Sequence, residues 1–377
     1  MTRTQALADT KNESTTDRPG RQEWLARLAL LVGSTVFLVA FAELALRLVV
    51  PPADPHRGDA DRDPFTFFDH HPTLGWDLVP GAEDRHVTAE FDIEIRINEQ
   101  GLRSDRAYGD AAPPGTRRVV VLGDSFSFGH GVAVEEGWVA RLEESSDSLE
   151  AVNLAVTGYG IDQMVLRLEL RSRDHLAFSP QVVIAAVFLA DVFRVTSDAH
   201  IGYRKPRFVL APAAVDGLRL AGVPVSRQAA PSADQRAGSL LLRTVRERGQ
   251  TLAKHLGRGD AWPITEALLL RLRGRVERGG AKLLVVLVPK DVAVAGRGVR
   301  RDLNRRAVAR LARMLSELGI PHLDLTDSFT RQLQQTPGEA LYFPRDGHWT
   351  VAGHRLAGER VAAWIANQGL GLPPEQP

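Results

Sequence analysis

Five apolar runs of strand length, separated by stretches of helical character, constrain this sequence more than any other feature. They are VVVLG (119–123), LEAVNLAV (149–156), VVIAAVFLA (182–190), KLLVVLVP (282–289) and PHLDL (321–325). A strand that is apolar at successive positions is buried on both faces, and helical segments between such strands supply the covering layers. RRAVARLARMLSELG (305–319) is one such segment, and VAGHRLAGERVAAWIAN (351–367) closes the pattern. The expectation is an α/β fold, a three-layer αβα sandwich around a five-stranded parallel sheet, over residues 118–370. With 377 residues the chain exceeds one compact domain of this kind, so appendages are expected.

The appendages lie mainly upstream. Leu28–Ala42 reads LALLVGSTVFLVAFA without a charge, and apolar character resumes after Glu43 until Pro51–Pro52. Residues 24–50 are thus long enough for a transmembrane helix, which needs about 20 residues. Glu43 and Arg47, four apart, would share a helix face and pair near the boundary. Arg3, Lys11, Arg18, Arg21 and Arg27 precede the apolar run that starts at Leu28, and Asp54, Asp59, Asp61 and Asp63 follow Val50. This bias places the N-terminus in the cytoplasm and the rest outside the cell membrane. Ala40-Phe41-Ala42 is the competing cue for signal-peptide cleavage, against which stand the long polar leader and the apolar run beyond it. Residues 1–22 read as a polar cytoplasmic tail and 51–63 as a Pro- and Asp-rich linker. Residues 64–117 read as a small β-rich appendage, where Phe91, Ile93, Ile95 and Ile97 alternate with polar positions. Residues 195–262 form an insert containing a helical stretch at 239–256, and the Pro-rich end, 372–377, reads as frayed.

Composition removes several kinds of chemistry. Lys+Arg 47 against Asp+Glu 46 leaves a formal net charge of +1, too little to attract nucleic acid. The absence of cysteine rules out thiolate catalysis, Cys-based zinc sites and disulfides. No Gly-rich phosphate loop follows the first apolar run, which argues against a nucleotide-binding domain.

That run instead leads into Gly123-Asp124-Ser125-Phe126-Ser127-Phe128-Gly129. In an open parallel sheet, reactive groups gather at the carboxyl ends of strands. Ser125 falls at the mouth of the next helix, whose first backbone N–H groups point outward and can hold an oxyanion. A serine hydroxyl needs a base, and FPRDGHWTVAGH (343–354) offers one in His348, with Asp346 two residues before it. Such a carboxylate can fix the tautomer of one imidazole nitrogen and leave the other free. The bland alternatives are that Ser125 and Asp346 cap helices and that His348 lies on the surface. His354, inside the last helix, reads as a packing residue. An Asp-x-His-plus-His354 metal site is the alternative, but nothing else in the sequence supplies a convincing further ligand, so neither a metal nor another cofactor is expected.

With these residues in hand, the sequence resembles the SGNH/GDSL hydrolases. VVVLGDSFSFGHGV is similar to the family's nucleophile block, NLAVTGYG to its second block and DGHWTVAGH to its last, in the family's order. HPTLGWDLVPG and INEQGLRS resemble the leader of bacterial members with an N-terminal membrane helix. The resemblance spans residues 24–367. It implies a flavodoxin-like SGNH fold, a Ser125/His348/Asp346 triad and an oxyanion hole built from the N–H groups of Ser125 and Gly158. Two departures stand out. Ala190 occupies the place of an asparagine whose amide serves the oxyanion in the family, and Asp191 beside it would repel an oxyanion when ionised. The Asp-x-His-Trp spacing resembles the branch that includes alginate O-acetylation proteins.

The resemblance therefore implies a serine esterase at the cell envelope, acting on an ester such as an acylated glycan or lipid. An O-acyltransferase acting on envelope polysaccharide uses the same groups. A degenerate domain that binds acylated glycans without turnover is the rival of another class. Protein partners are not legible.

Overall fold

The computed structural model describes residues 21–49, 66–172, 175–228 and 239–370. Most of the expected tail (1–22), the linker (51–63) and the Pro-rich end lie outside these. The chain divides into two compact units, Met1–Ala53 with Ala237–Arg246, and Asp54–Arg236 with Glu247–Pro377.

In the first unit, helix α1 (Arg21–Val49) contains a 24-residue stretch, Gln22–Ala45, with mean hydropathy 2.2. It is long and apolar enough to cross a membrane. The hydroxyls of Ser34 and Thr35 donate back to the Leu31 carbonyl at 3.0 and 2.7 Å, so neither presents an unpaired donor to an apolar surrounding. The side chain of Arg47, the expected partner of Glu43, lies outside the described set. The Glu43 carboxylate accepts from Ser239 Oγ at 2.7 Å and from the Leu241 N–H at 2.8 Å.

The second unit opens with two antiparallel hairpins, β1 (Phe68–His71) with β2 (Gly75–Leu78) and β3 (Glu83–Val87) with β4 (Asp92–Arg96). Of the alternating residues, Ile95 and Ile97 are buried and Ile93 packs at the edge of the core. Then comes β5 (Arg117–Leu122), followed by the short helix α2 (Ser125–Phe128), α3 (Trp138–Glu144), β6 (Leu149–Asn153), α4 (Ile161–Arg171) and β7 (Val182–Phe188). β7 ends two residues earlier than the apolar run predicts, because Leu189 and Ala190 start α5 (Leu189–Arg194).

The insert holds two further hairpins, β8 (Ala199–His200) with β9 (Tyr203–Arg204) and β10 (Arg207–Leu210) with β11 (Leu218–Ala221), and then α6 (Leu240–His255), whose residues up to Arg246 are counted with the first unit. The remainder is α7 (Ala261–Arg278), β12 (Lys282–Val288), α8 (Asp291–Val294), α9 (Gly298–Glu317), β13 (His322–Asp324), α10 (Thr326–Gln335) and α11 (Val351–Ile365).

The five expected strands form one parallel sheet in the order β13-β12-β7-β5-β6. The chain first steps outward from β5 to β6 and then returns past β5 to β7. The carboxyl end of β5 therefore lies at the switch point where open α/β sheets place their ligands. Successive residues of each strand enter different cores, which is why the runs are apolar throughout. Val120, Leu122, Val183, Ala185 and Val285 join α4, α7 and α9 on one face. Val119, Val121, Ile184, Ala186 and Val286 join α3, α10 and α11 on the other. Gly123 follows β5, and a Cβ there would come within 2.4 Å of Ser127 Oγ, so the turn into α2 calls for glycine.

The upstream segment is bound into this architecture by Arg103, from the INEQGLRS motif. Its guanidinium is buried and donates to the carbonyls of Phe128 at 3.0 Å, Gly129, and Val132 at 2.6 Å. Burial lowers its pKa to about 10, still charged at neutral pH. Arg103→Met should leave the Phe128 and Val132 carbonyls without a donor, the Gly129 carbonyl keeping only the Val132 N–H, and cost about 3 kcal/mol. Thermal denaturation of the full-length protein in detergent, followed by circular dichroism, checks this against Arg103→Lys, which should restore part of the loss.

Candidate active site

Ser125, His348 and Asp346 come together at the carboxyl end of the sheet. Ser125 is the first residue of α2, and Asp124 caps that turn by accepting the Phe126 N–H at 3.0 Å. Ser125 Oγ lies 2.7 Å from His348 Nε2, although 223 residues separate them in sequence. His348 Nδ1 lies 2.6 Å from Asp346 Oδ1. With the imidazole proton on Nδ1, the ring donates to Asp346 and accepts from the Ser125 hydroxyl through Nε2. The His348 N–H also donates to Asp346 Oδ1, at 3.0 Å, so the carboxylate holds both the backbone and the ring. Phe126 packs on the imidazole with ring centroids 4.8 Å apart, and Trp349 packs behind Phe126 at 5.0 Å.

The remaining oxygen of Asp346 has a partner to which the sequence reading gave no role. His130 Nε2 lies 3.3 Å from Asp346 Oδ2, and its ring centroid is 4.2 Å from that of His348. His130 follows Ser125 by five residues, just past the Gly129 turn that closes α2. That position inside the nucleophile block was the available signal. His86 and Phe91 of the second hairpin enclose its ring, with centroids 4.9 and 5.4 Å away. Burial lowers the His130 pKa to about 4, with the neighbouring His348 adding to the effect. His130 is therefore neutral at physiological pH and donates one N–H to the carboxylate. For Asp346, burial pushes the carboxyl up, but the hydrogen bonds from His130 and His348 outweigh it and hold it well below the usual range.

The ligand atoms of His130, Asp346 and His348 lie within 4.8 Å of one another. His348 Nδ1 and His130 Nε2 each address a different oxygen of the Asp346 carboxylate, and His130 is the third side chain that the Asp-x-His pair lacks in the sequence. His354 is apart from this group: it is fully buried, and its Nδ1 accepts the Trp138 N–H at 3.2 Å.

Three upstream residues brace the loops that carry these groups. Glu90, in the turn between β3 and β4, accepts the N–H groups of Arg345 at 3.0 Å and Asp346 at 2.8 Å. Arg103 holds the carbonyls on either side of His130, as described above. Trp76, from HPTLGW, donates its indole N–H to the Thr157 carbonyl at 3.0 Å, beside Gly158.

Gly158 has φ +81°, a conformation that favours glycine. A Cβ on it would meet His200 Cδ2 and Ile201 Cδ1 at 3.1 Å and Trp76 Cζ2 at 3.4 Å. The β8–β9 hairpin of the insert thus presses on this loop. Among the described residues, neither the Ser125 N–H nor the Gly158 N–H has a hydrogen-bond acceptor. Two buried backbone donors without an internal acceptor are uncommon in a folded protein.

Ala190 lies in the first turn of α5, half-buried against the second core. Asp191 beside it is fully buried; it accepts the Phe188 N–H at 2.8 Å and pairs with Arg194. Arg194 also reaches Asp124 Oδ2 at 3.2 Å. Burial, reinforced by the nearby Asp124, raises the Asp191 pKa well above the usual carboxylate range. Asp191 therefore braces α5 against the turn before Ser125.

Residues 250–377 match the family described as ALGX, the SGNH hydrolase-like domain of acetyltransferase AlgX. The matched span includes Asp346 and His348 and begins after Ser125. A comparison with curated proteins finds no match. Among solved structures, a member of the lipolytic protein G-D-S-L family from Veillonella parvula DSM 2008 is 12% identical with a TM-score of 0.40, covering 66% of this chain and 97% of its own. The acetyl xylan esterase AlAXEase is 15% identical with a TM-score of 0.38, over 66% of this chain and 99% of its own. A lipase/acylhydrolase from Enterococcus faecalis is 14% identical with a TM-score of 0.37, over 70% of this chain and 100% of its own.

The buried neutral state of His130 has a thermodynamic signature. Its pKa is lowered from 6.5 to about 4 on folding, so the unfolded chain binds a proton here that the folded chain refuses. The stability that His130 contributes is complete above pH 6.5 and declines as pH falls toward 4. His130→Gln cannot titrate. Its deficit in melting temperature relative to the unmodified protein should shrink between pH 6.5 and 4, and a constant deficit would contradict neutral burial.

Proposed function

We propose that this chain, which carries an SGNH hydrolase-like domain, is a membrane-anchored enzyme of acyl transfer in which Ser125 is the nucleophile, His348 the base and Asp346 its orienting carboxylate. The observation that carries this reading is the unbroken hydrogen-bond chain from Ser125 Oγ through both nitrogens of His348 to Asp346.

The chemistry follows from that chain. Ser125 Oγ attacks an ester carbonyl while its proton passes to His348 Nε2. The imidazolium formed is stabilised by the carboxylate at Nδ1, and the oxyanion is held by the N–H groups of Ser125 and Gly158. His348 then gives its proton to the departing alkoxide, which leaves as the alcohol, and the acyl group stays on Ser125. Water attacking the acyl-serine, deprotonated by His348, releases a carboxylic acid and completes hydrolysis. A sugar hydroxyl attacking in its place completes transfer, and both routes restore the free serine. The acetyltransferase description of the matched family favours an acetyl group, and the Asp-x-His-Trp resemblance to alginate O-acetylation proteins favours a polysaccharide hydroxyl as acceptor. The apolar span and the charge bias around it favour an anchor in the cell membrane with the catalytic unit outside, facing envelope glycans or lipids.

Ala190 favours a second reading, in which the domain binds O-acylated glycans without turning them over. An absent oxyanion donor costs about 2.7–4 kcal/mol of transition-state stabilisation. The two open backbone donors and the complete Ser125–His348–Asp346 chain argue for retained activity.

Fluorophosphonate labelling of the full-length protein in detergent, with p-nitrophenyl acetate turnover in parallel, tests the proposal. Labelling should be present in the unmodified protein and absent in Ser125→Ala, and His348→Ala should lower turnover by at least about 100-fold. A folded protein that neither labels nor turns over would leave the binding reading in possession. His130→Gln should retain labelling and lose about tenfold in turnover, the equivalent of one hydrogen bond to a charged group.

A further inference from the structure

Two imidazoles and a carboxylate converge where His130 joins Asp346 and His348. Each offers one ligand atom, and these atoms lie within 4.8 Å of one another. Among the described residues this is the one place where three such side chains come so close. They arrive from two loops, His130 from the turn after α2 and the other two from the loop before α11. His348 Nδ1 addresses Asp346 Oδ1 at 2.6 Å, and His130 Nε2 addresses Oδ2 at 3.3 Å. An ion can reach all three, since the side chains of His130, Asp346 and His348 are 13%, 25% and 22% exposed.

The donor set selects the ion. Magnesium and calcium take oxygen ligands, whereas two imidazole nitrogens with one carboxylate oxygen suit zinc. Zinc holds such ligands at about 2.0–2.2 Å, which puts the corners of its tetrahedron about 3.3 Å apart. The widest pair here has at most about 1.5 Å to close, a shift that side-chain rotation supplies. Glu90 steadies the loop from behind by accepting the Asp346 N–H at 2.8 Å, and it brings a second carboxylate close by. Occupation is incompatible with the hydrogen-bond chain to Ser125. A neutral imidazole carries one proton. With Nδ1 of His348 on the metal, that proton moves to Nε2, which then donates and cannot take the proton of the Ser125 hydroxyl.

We propose that His130, Asp346 and His348 form a binding site for zinc, and that its occupation switches the triad off. The inhibition rests on the proposed roles of Ser125, His348 and Asp346, whereas the site rests on the placement of its three ligands alone.

Calorimetric titration of the full-length protein in detergent with zinc chloride, beside p-nitrophenyl acetate turnover over the same zinc concentrations, tests both parts. The unmodified protein should bind one equivalent, and its turnover should fall over the same range and return when EDTA is added. His130→Gln and His348→Ala, each checked for folding by circular dichroism, should bind zinc at least about tenfold more weakly. The residual turnover of His130→Gln should resist zinc at concentrations that stop the unmodified protein. No binding to the unmodified protein, or unchanged binding in either folded variant, would overturn the site. Binding that depends on both histidines but leaves turnover untouched would overturn the inhibition and the role of His348 as base. The same binding to a protein without turnover even when free of zinc would uphold the site and overturn the enzymatic reading, and the inhibition with it.

Discussion

The contact between Ser125 Oγ and His348 Nε2, 2.7 Å across 223 residues of sequence, is the constraint on which the remaining architecture depends. A hydroxyl and an imidazole that distant in the chain meet only if the segments bearing them end at the same edge of one rigid body. The sheet provides that edge. β5 sits between β6 and β7, at the place where the chain reverses its direction of winding, and delivers Ser125 there. α11 packs against α3 on one face of the sheet and delivers His348 from the loop before its first turn. Burial of strand residues on both faces makes this body stiff enough to hold a hydrogen bond in register.

The upstream hairpins show how such a site is braced by residues that take no part in chemistry. Trp76, Glu90 and Arg103 each bond to main-chain groups of a different loop, one beside Gly158, one at Asp346 and one around His130. A bond to the backbone fixes a loop whatever side chains it carries, whereas a bond to a side chain fixes only that group. This division explains why a β-rich segment with no reactive residue of its own is joined so closely to the αβα domain.

The fold was legible because its determinants are local and repetitive. Runs such as VVVLG and KLLVVLVP carry the two-faced burial of a parallel strand in their composition, and the helices between them carry the matching period. Ser125, Asp346 and His348 were legible because Gly-Asp-Ser after a strand and Asp-x-His before a helix are short motifs whose groups act within a few residues. His130 and Glu90 were not, because what makes them matter is a partner more than 200 positions away. His130 stood in plain view inside the nucleophile block, but nothing in the local pattern says that its ring turns toward Asp346. The end of β7 shows the limit of composition alone: Leu189 and Ala190 are apolar enough to extend a strand, yet the Asp191 carboxylate accepts the Phe188 N–H and starts a helix.

The crowding around Gly158 reaches beyond the stability of its loop. Trp76, His200 and Ile201 come from two separate parts of the chain and close on one side of the glycine that, on the proposed reading, faces the reacting carbonyl. A wall so placed works as a sieve, since it limits the size of whatever group on the substrate turns that way, while the triad is indifferent to size. Selectivity would then reside in the hairpin of the insert and reactivity in the sheet. The two could diverge independently, so that chains with the same Ser-His-Asp arrangement but different hairpins would discriminate among acyl groups by steric exclusion alone.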